Sequence, residues 1–378
     1  MEPAPRRTHA AAILVLIVGF TTSCATGTTD AAGDPPKIGF ILVGARDDLG
    51  YNQAVWEGAD EVAKAFPNHE VLRLENVPET DAAEDAMEDL IDRGARILFA
   101  TSFGHYAAAV KVARGHDDVI VVHQGATDTP DDLPNFGTYF GAHYEPLYLS
   151  GIAAGAATST GVLGFAVAFP IPATFNNVNA FTLGARSVNP SVVTRVAFTG
   201  NWCDPDAQRR AVRDLREANA DVIAQHQDCT RTILEETEAA GLKSVGYHAD
   251  GSEVAPNGWL AGAVWVWGDL YKEIVDTALD GTFTSSRFNG NVRRGLAAVD
   301  DPLVFTELGP GTPPIAAELI DSAFARFRQG DTPFTGPIVD RDGKERVAGG
   351  DRLSIGEIDA MDWFVEGVEG DIPDAPPG

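Results

Sequence analysis

The chain has 378 residues, more than one hydrophobic core usually organises, so two domains or lobes are expected. With 44% apolar and 22% charged residues it has an ordinary globular composition, and no segment beyond the N-terminus is apolar enough to span a bilayer. A formal net charge of −27 gives an acidic surface that repels nucleic acid and anionic lipid headgroups, which argues against DNA or RNA binding.

At the N-terminus Arg6 and Arg7 precede the apolar run AAAILVLIVGF and then TTSC. This is the layout of an export signal over residues 1–23, with Cys24 placed to receive a lipid anchor. Plain secretion with an idle Cys24 is the competing reading, because Thr21 stands where a leucine is usual. Residues 24–36 are small, polar and Pro-containing, as a flexible tether requires.

From Lys37 short apolar runs alternate with helix-length amphipathic segments. KIGFILV, EVLRLEN, ARILFAT, DVIVVHQ and TYFGAH read as strands, separated by helices at YNQAVWEGADEVAKAF, TDAAEDAMEDLIDRG and HYAAAVKVARG. A βαβαβαβ order implies a mainly parallel sheet flanked by helices. After a helix at EPLYLSGIAAGAATST a second series begins, with strands GVLGFAVAF, TRVAFTGNW, DVIAQHQD, KSVGYHA and LAGAVWVW. Its helices fall near FNNVNAFTLGARSV, PDAQRRAVRDLREA and TRTILEETEAAG, the second of them opened by Asp204 and Pro205. From about residue 332 the tail offers a hairpin at DRDGKE and a last helix at GEIDAMDWFVEG.

Ligands of open parallel sheets sit at the carboxyl ends of the strands. There the sequence places Asp47, Asp48, Tyr51 and Asn52, then Ser102, Phe103 and Tyr106, and in the second series Trp202, Gln225, His226, Asp228, His248, Asp250 and Trp267. Aromatic faces beside carboxylates suit a planar, neutral, donor-rich solute such as a purine base or nucleoside. A phosphate-bearing ligand is disfavoured, since no glycine-rich phosphate loop follows any strand and only Arg46 is basic. Of the pair Trp265 and Trp267, the second is expected to face the ligand and the first to pack in the core. No catalytic or metal motif is present, and a hydrolase acting on nucleosides would have to rely on His226 and His248. Two further cysteines, Cys203 and Cys229, suit a disulfide better than a metal site outside the cytoplasm.

These pieces together resemble the basic membrane protein family of ABC-transporter solute-binding lipoproteins, in its purine- or nucleoside-binding branch. The resemblance rests on FPIPATFNNVNAFTLGARSVNP, NWCDPD, ADVIAQHQD, VGYHAD, VWVWGDLY with LDGTF, FTGPIVDRDGKERVAGGDRLS and MDWFVEGVEG, in that order. It implies a two-lobed periplasmic-binding-protein fold of type I, joined by three crossovers. Residues 37–143 with about 268–283 would form the first lobe and residues 144–267 with about 284–331 the second, residues 332–378 packing on the lobes. Carried over by position, the family pattern D-D-x-x-[FY]-N falls on Asp47, Asp48, Tyr51 and Asn52, and T-S-F-G-[YH] on Phe103. Relatives stack an aromatic from the first pattern on the base and use an acid matching Asp250 for ribose hydroxyls or ring N–H groups. Trp202, Asp228 and Trp267 lie in further family motifs, and WGDLY replaces the W-G-P-Y-Y of many relatives.

The resemblance also implies an exported, lipid-anchored monomer that uses no cofactor and hands a purine base or nucleoside to ABC permease subunits. A sensory lipoprotein of the same fold, binding another heteroaromatic solute such as riboflavin, is the alternative. In that fold Cys203 and Cys229 follow strands consecutive in sequence, so a disulfide joining two rim loops competes with two free thiols.

Overall fold

The computed structural model describes residues 1, 34–126, 128–286 and 302–374. The export signal, Cys24 and nearly all of the tether therefore lie outside the described residues, as does residue 287–301 of the expected second lobe. Everything from Pro36 onward belongs to one compact unit.

Strands β1 (Lys37–Ile41), β2 (Val71–Leu74), β3 (Ala95–Ala100), β4 (Ile120–Gln124) and β5 (Phe136–Tyr139) form one sheet in the order β2-β1-β3-β4-β5. All its pairings are parallel. Ile38, Phe40, Ile41, Leu98 and Phe99 are buried on both faces of it, which is why these strands read as unbroken apolar runs. Helices α1 (Tyr51–Ala65), α2 (Ala82–Asp92) and α3 (Tyr106–Gly115) provide the crossovers.

The second sheet holds β6 (Val162–Val167), β7 (Val193–Phe198), β8 (Val222–His226), β9 (Lys243–His248), β10 (Trp259–Trp265), β11 (Leu303–Phe305) and β14 (Val368–Glu369). Their order is β11-β10-β9-β8-β6-β7-β14, parallel except where β11 runs against β10. Helices α4 (Tyr144–Ala157), α5 (Pro172–Val188), α6 (Pro205–Glu217) and α7 (Arg231–Ala239) flank it. Asp204 caps α6 by accepting from the Asp206 and Ala207 backbone N–H groups, with Pro205 at the first helical position.

Helices α4 and α5 cross at backbone contact. A Cβ on Gly151 would lie 2.0 Å from the Phe181 carbonyl oxygen, and one on Gly184 2.0 Å from that of Tyr148. Only glycine permits that approach.

Two chain crossovers meet where the sheets face each other. Phe140 and Gly141 follow β5, and Trp265 to Trp267 lead from β10 into α8 (Gly268–Leu279). Helix α8 returns to the first sheet, where Tyr271 packs 4.9 Å from Phe99 and 5.4 Å from Phe40 between ring centroids. The sequence reading carried the strand through Trp267, but β10 stops at Trp265 and Trp267 already has helical backbone angles. Both indoles still fall on one side, stacked 4.3 Å apart at an interplanar angle of 11°, with Tyr271 stacked next in line.

Helix α9 (Pro314–Phe327) packs on α4, and β12 (Ile338–Val339) pairs with β13 (Glu345–Val347) as the DRDGKE hairpin. The last expected helix is shorter than read: α10 (Ile355–Asp359) ends before the Asp-Trp-Phe segment. Asn179 of α5 donates to the Trp363 carbonyl and accepts from the Val365 N–H, pairing that segment like a neighbouring strand and drawing it out of the helix. The tail then joins the second sheet beside β7.

Candidate functional site

In each sheet the direction of strand order reverses once, at β1/β3 and at β6/β8. Such switch points leave a crevice beyond the carboxyl ends of the strands, because the connecting helices diverge to opposite faces. The two crevices face one another. Tyr51, Ser102 and Phe103 from the first sheet and Ile171, Trp202 and Asp228 from the second line one narrow space of about 40 Å³.

From the first sheet, the β1–α1 loop is shaped by Asp48. Its carboxylate accepts from the backbone N–H groups of Gly50, Asn52 and Gln53 and from the Asn52 side chain at 2.8–3.0 Å. Asn52 in turn accepts from Gly44 N–H. This network is internal, so Asp48 and Asn52 set the loop that presents the Tyr51 ring. Burial raises the Asp48 carboxyl above its usual range despite these donors. Glu79 reaches over from the β2–α2 loop and accepts from Ser102 Oγ at 2.7 Å and Gly104 N–H at 2.8 Å, fixing the loop that carries Phe103.

From the second sheet, Trp202 and Asp228 stand side by side, since Asp228 N–H donates to the Trp202 carbonyl. Adjacent to each is a cysteine, and Cys203 and Cys229 are joined in a disulfide with Cα atoms 5.2 Å apart. The bond ties the Trp202 loop to the end of β8. Asp228 is 6% exposed, and among the described residues its carboxyl accepts from no donor. Burial drives it well above the usual carboxylate range, and the charges of Asp48 and Glu79 push it further. Asp228 also lines a second, wider chamber of about 530 Å³, shared with Asp48, Asn52, Glu79 and Asn201.

Two donors complete the cavity. Gln124, at the end of β4, accepts through Oε1 from the Tyr139 hydroxyl at 2.8 Å, which leaves Nε2 without a protein partner. His226 accepts at Nδ1 from Asn177 Nδ2 at 3.0 Å, so its proton is on Nε2. Asn177 Oδ1 takes the proton of His143 Nδ1 at 2.5 Å, which locks the amide orientation.

The expected site residues therefore divide. Tyr51, Phe103, Trp202 and Asp228 line the cavity, with Asp48 and Asn52 behind the loop and facing the wider chamber. Asp47 and Asp250 are exposed and line neither space, and Asp250 accepts from Ser252 N–H in its own turn. Trp267 lines neither of these two spaces either: it is 1% exposed within the crossover stack, edge-on to Tyr139 at 5.4 Å. His226 and His248 lie 5.7 Å apart between ring centroids, but burial pulls His226 down to about 3 and His248 well below its ordinary value. Each also accepts a hydrogen bond at Nδ1, His248 from Trp265 Nε1, so neither holds a transferable second proton near neutrality. Gln124, Phe140 and Ile171 were not anticipated. The strand-end rule reaches Gln124 and Ile171 when applied to HQG after β4 and FPIP after β6.

Two parallel-sheet lobes meeting at their switch points around an aromatic, acid-lined space define a solute-binding protein of the periplasmic type. The family profile of PnrA-like ABC transporter substrate-binding proteins, Bmp, matches residues 36–298, and the chain belongs to this family. A purine-binding protein of Brucella abortus is 30% identical, covering 96% of this chain and 99% of its own length. A protein of Haloferax volcanii named as an ABC transporter glucose-binding protein is 29% identical, covering 94% and 88%. Among solved structures, an ABC transporter solute-binding protein from Aeropyrum pernix superposes with a TM-score of 0.68 at 17% identity, over 80% of this chain and 94% of that one. An activator of the comK gene from Bacillus halodurans gives 0.65 at 21% identity, over 79% and 99%. Both structural likenesses concern the fold alone.

Proposed function

We propose that the protein captures a purine base or nucleoside between its lobes and delivers it to the permease of an ABC importer. The observation that carries this is Asp228: a buried acceptor without a donor among the described residues, lining one cavity with Trp202 and Tyr51. Rings of that size supply the faces between which a planar base lies. Gln124 Nε2 and His226 Nε2 offer N–H groups to ring nitrogens or carbonyls, and Asp228 accepts from an amino or ring N–H. None of the residues lining the cavity is Lys or Arg, which disfavours a phosphorylated nucleotide. The purine-binding relative from Brucella abortus supports the same ligand class.

The glucose-binding name of the Haloferax relative makes a sugar the second reading, since carboxylates also accept from hydroxyls and rings also stack on sugar faces. Mass spectrometry of solutes released on denaturing the purified mature protein, followed by thermal-shift titration with adenine, adenosine and glucose, separates the two. Release of a purine, and stabilisation by adenine or adenosine but not glucose, is the expected result; stabilisation by glucose alone overturns it.

Tethering through a lipid on Cys24 belongs to the same proposal. The Cys24→Ala protein is expected in the soluble extracellular or periplasmic fraction while the wild type sediments with membranes. Equal fractionation of the two removes the anchor.

A further inference from the structure

We propose that the solute binds as a cation, a positively charged heteroaromatic whose charge rests on Asp228 and is shared with the acids of the wider chamber. This deepens the purine reading by assigning the charge state of the ligand, and it rests on that reading only for the ring system.

Asp48 and Glu79 come from the first sheet and Asp228 from the second, and all three line one continuous pair of chambers through Asp228. Among the described residues none of them forms an ion pair with Lys, Arg or His, and neither chamber has a Lys or Arg in its wall. Arg46, the nearest basic residue in sequence, turns away to Glu75 and the face of Trp56. Asp340, by contrast, is 2% exposed and paired with Arg346 at 2.6 Å.

The three acids also differ in what they still lack. Asp48 is saturated by four N–H donors, and Glu79 holds two. Asp228, more than nine-tenths buried and lining both chambers, accepts from none. Closing the lobes brings these like charges together in a region of reduced dielectric, which costs free energy unless a positive charge lies among them. A ligand shifts a two-state protein only by what it gains in one state over the other. A cation gains here specifically on closure.

The walls suit that charge. Tyr51, Trp202 and Phe103 surround the Asp228 end of the cavity with ring faces and edges, the surroundings in which organic cations are held. Gln124 Nε2 and His226 Nε2 supply donors within the same cavity. The complementary solute therefore has hydrogen-bond acceptors on one part of its ring system and a cationic or protonated nitrogen on another.

Calorimetric titration of the purified mature protein at neutral pH tests this with two pairs that differ by one N-methyl group and one charge: adenosine against 1-methyladenosine, and nicotinamide against 1-methylnicotinamide. The cation of at least one pair is expected to bind ten-fold or more tightly than its neutral partner. That preference should shrink at least five-fold in Asp228→Asn and weaken with added salt. Equal or tighter binding of both neutral partners overturns the proposal, and so does a cation preference untouched by Asp228→Asn. If adenosine binds and neither cation is preferred, the purine reading stands and the charge assignment falls. If only the nicotinamide cation binds, the charge assignment stands and the purine reading falls.

Discussion

Replacing Asp228 by Asn is expected to raise the melting temperature of the ligand-free protein while removing most of its affinity for solute. The carboxyl is buried, faces Asp48 and Glu79, and has no protein donor, so its folded-state pKa lies well above that of the unfolded chain. The folded protein then binds the proton more tightly than the unfolded chain does. Stability from this group is full below about pH 3.9, the ordinary carboxyl value, and declines as pH rises through the raised folded value. Asn keeps the shape and removes the titration. The difference between variant and wild type should accordingly be near zero in acid and grow towards neutral pH. For each 1 kcal/mol so recovered, a rise of roughly 2–4 °C is the scale for chains of a few hundred residues. Binding should fall by about 10–100-fold, the usual consequence of deleting a hydrogen bond to a charged group. Calorimetric melts at two pH values check the first half and titration with the recovered solute the second. A variant that melts lower at neutral pH refutes the account of Asp228 as a site held ready at a cost in stability.

Gly184→Val is expected to be the most damaging single change to the fold. Its Cβ would sit 2.0 Å from the Tyr148 carbonyl oxygen and 3.2 Å from the Ile152 nitrogen, both backbone atoms of a helix buried along most of its length. A side-chain clash can be relieved by a rotamer change. This one requires α4 and α5 to separate, and α4 is the element through which the chain enters the second lobe. The loss should exceed the roughly 1–3 kcal/mol of ordinary overpacking, read as failure to accumulate in soluble form or a melt lowered by many degrees. Gly115→Ala provides the control: a Cβ there meets nothing within 4 Å, and the melt should move by about 1 kcal/mol or less in either direction. Similar effects from the two variants would show that the α4–α5 crossing is not a tight constraint.

Most of the architecture was legible because each sheet is parallel and covered on both faces. That condition forces strands to be continuous apolar runs such as ILFA and helices to be amphipathic, so periodicity separates them cleanly. The lining of the candidate cavity was legible at Tyr51, Phe103, Trp202 and Asp228 because strand ends in this topology converge, and the rule needs only local sequence. It did not place Trp267 because alternation was extended two residues beyond the strand. Once the backbone turns helical at that position, side-chain direction is set by the turn and by what the ring can stack on, here Trp265 and Tyr271. Asp250 failed for a related reason: a strand-end acid can satisfy its own turn, and only the three-dimensional path of the loop decides whether it reaches the ligand space. The pairing of Cys203 with Cys229 spans 26 residues and two loops, so sequence could make it reasonable but not distinguish it from free thiols.

The stacked indoles of the crossovers give the molecule a built-in optical readout. Trp265 and Trp267 are parallel, 4.3 Å apart and shielded from solvent, a geometry in which their electronic transitions couple and contribute jointly to near-ultraviolet circular dichroism. Trp202 stands apart from them on the cavity wall, where a bound ring would alter its emission directly. If the lobes close on a solute as proposed, the paired indoles follow the crossovers and Trp202 the cavity, and the order in which the two signals change in a mixing experiment distinguishes closure that follows binding from closure that precedes it.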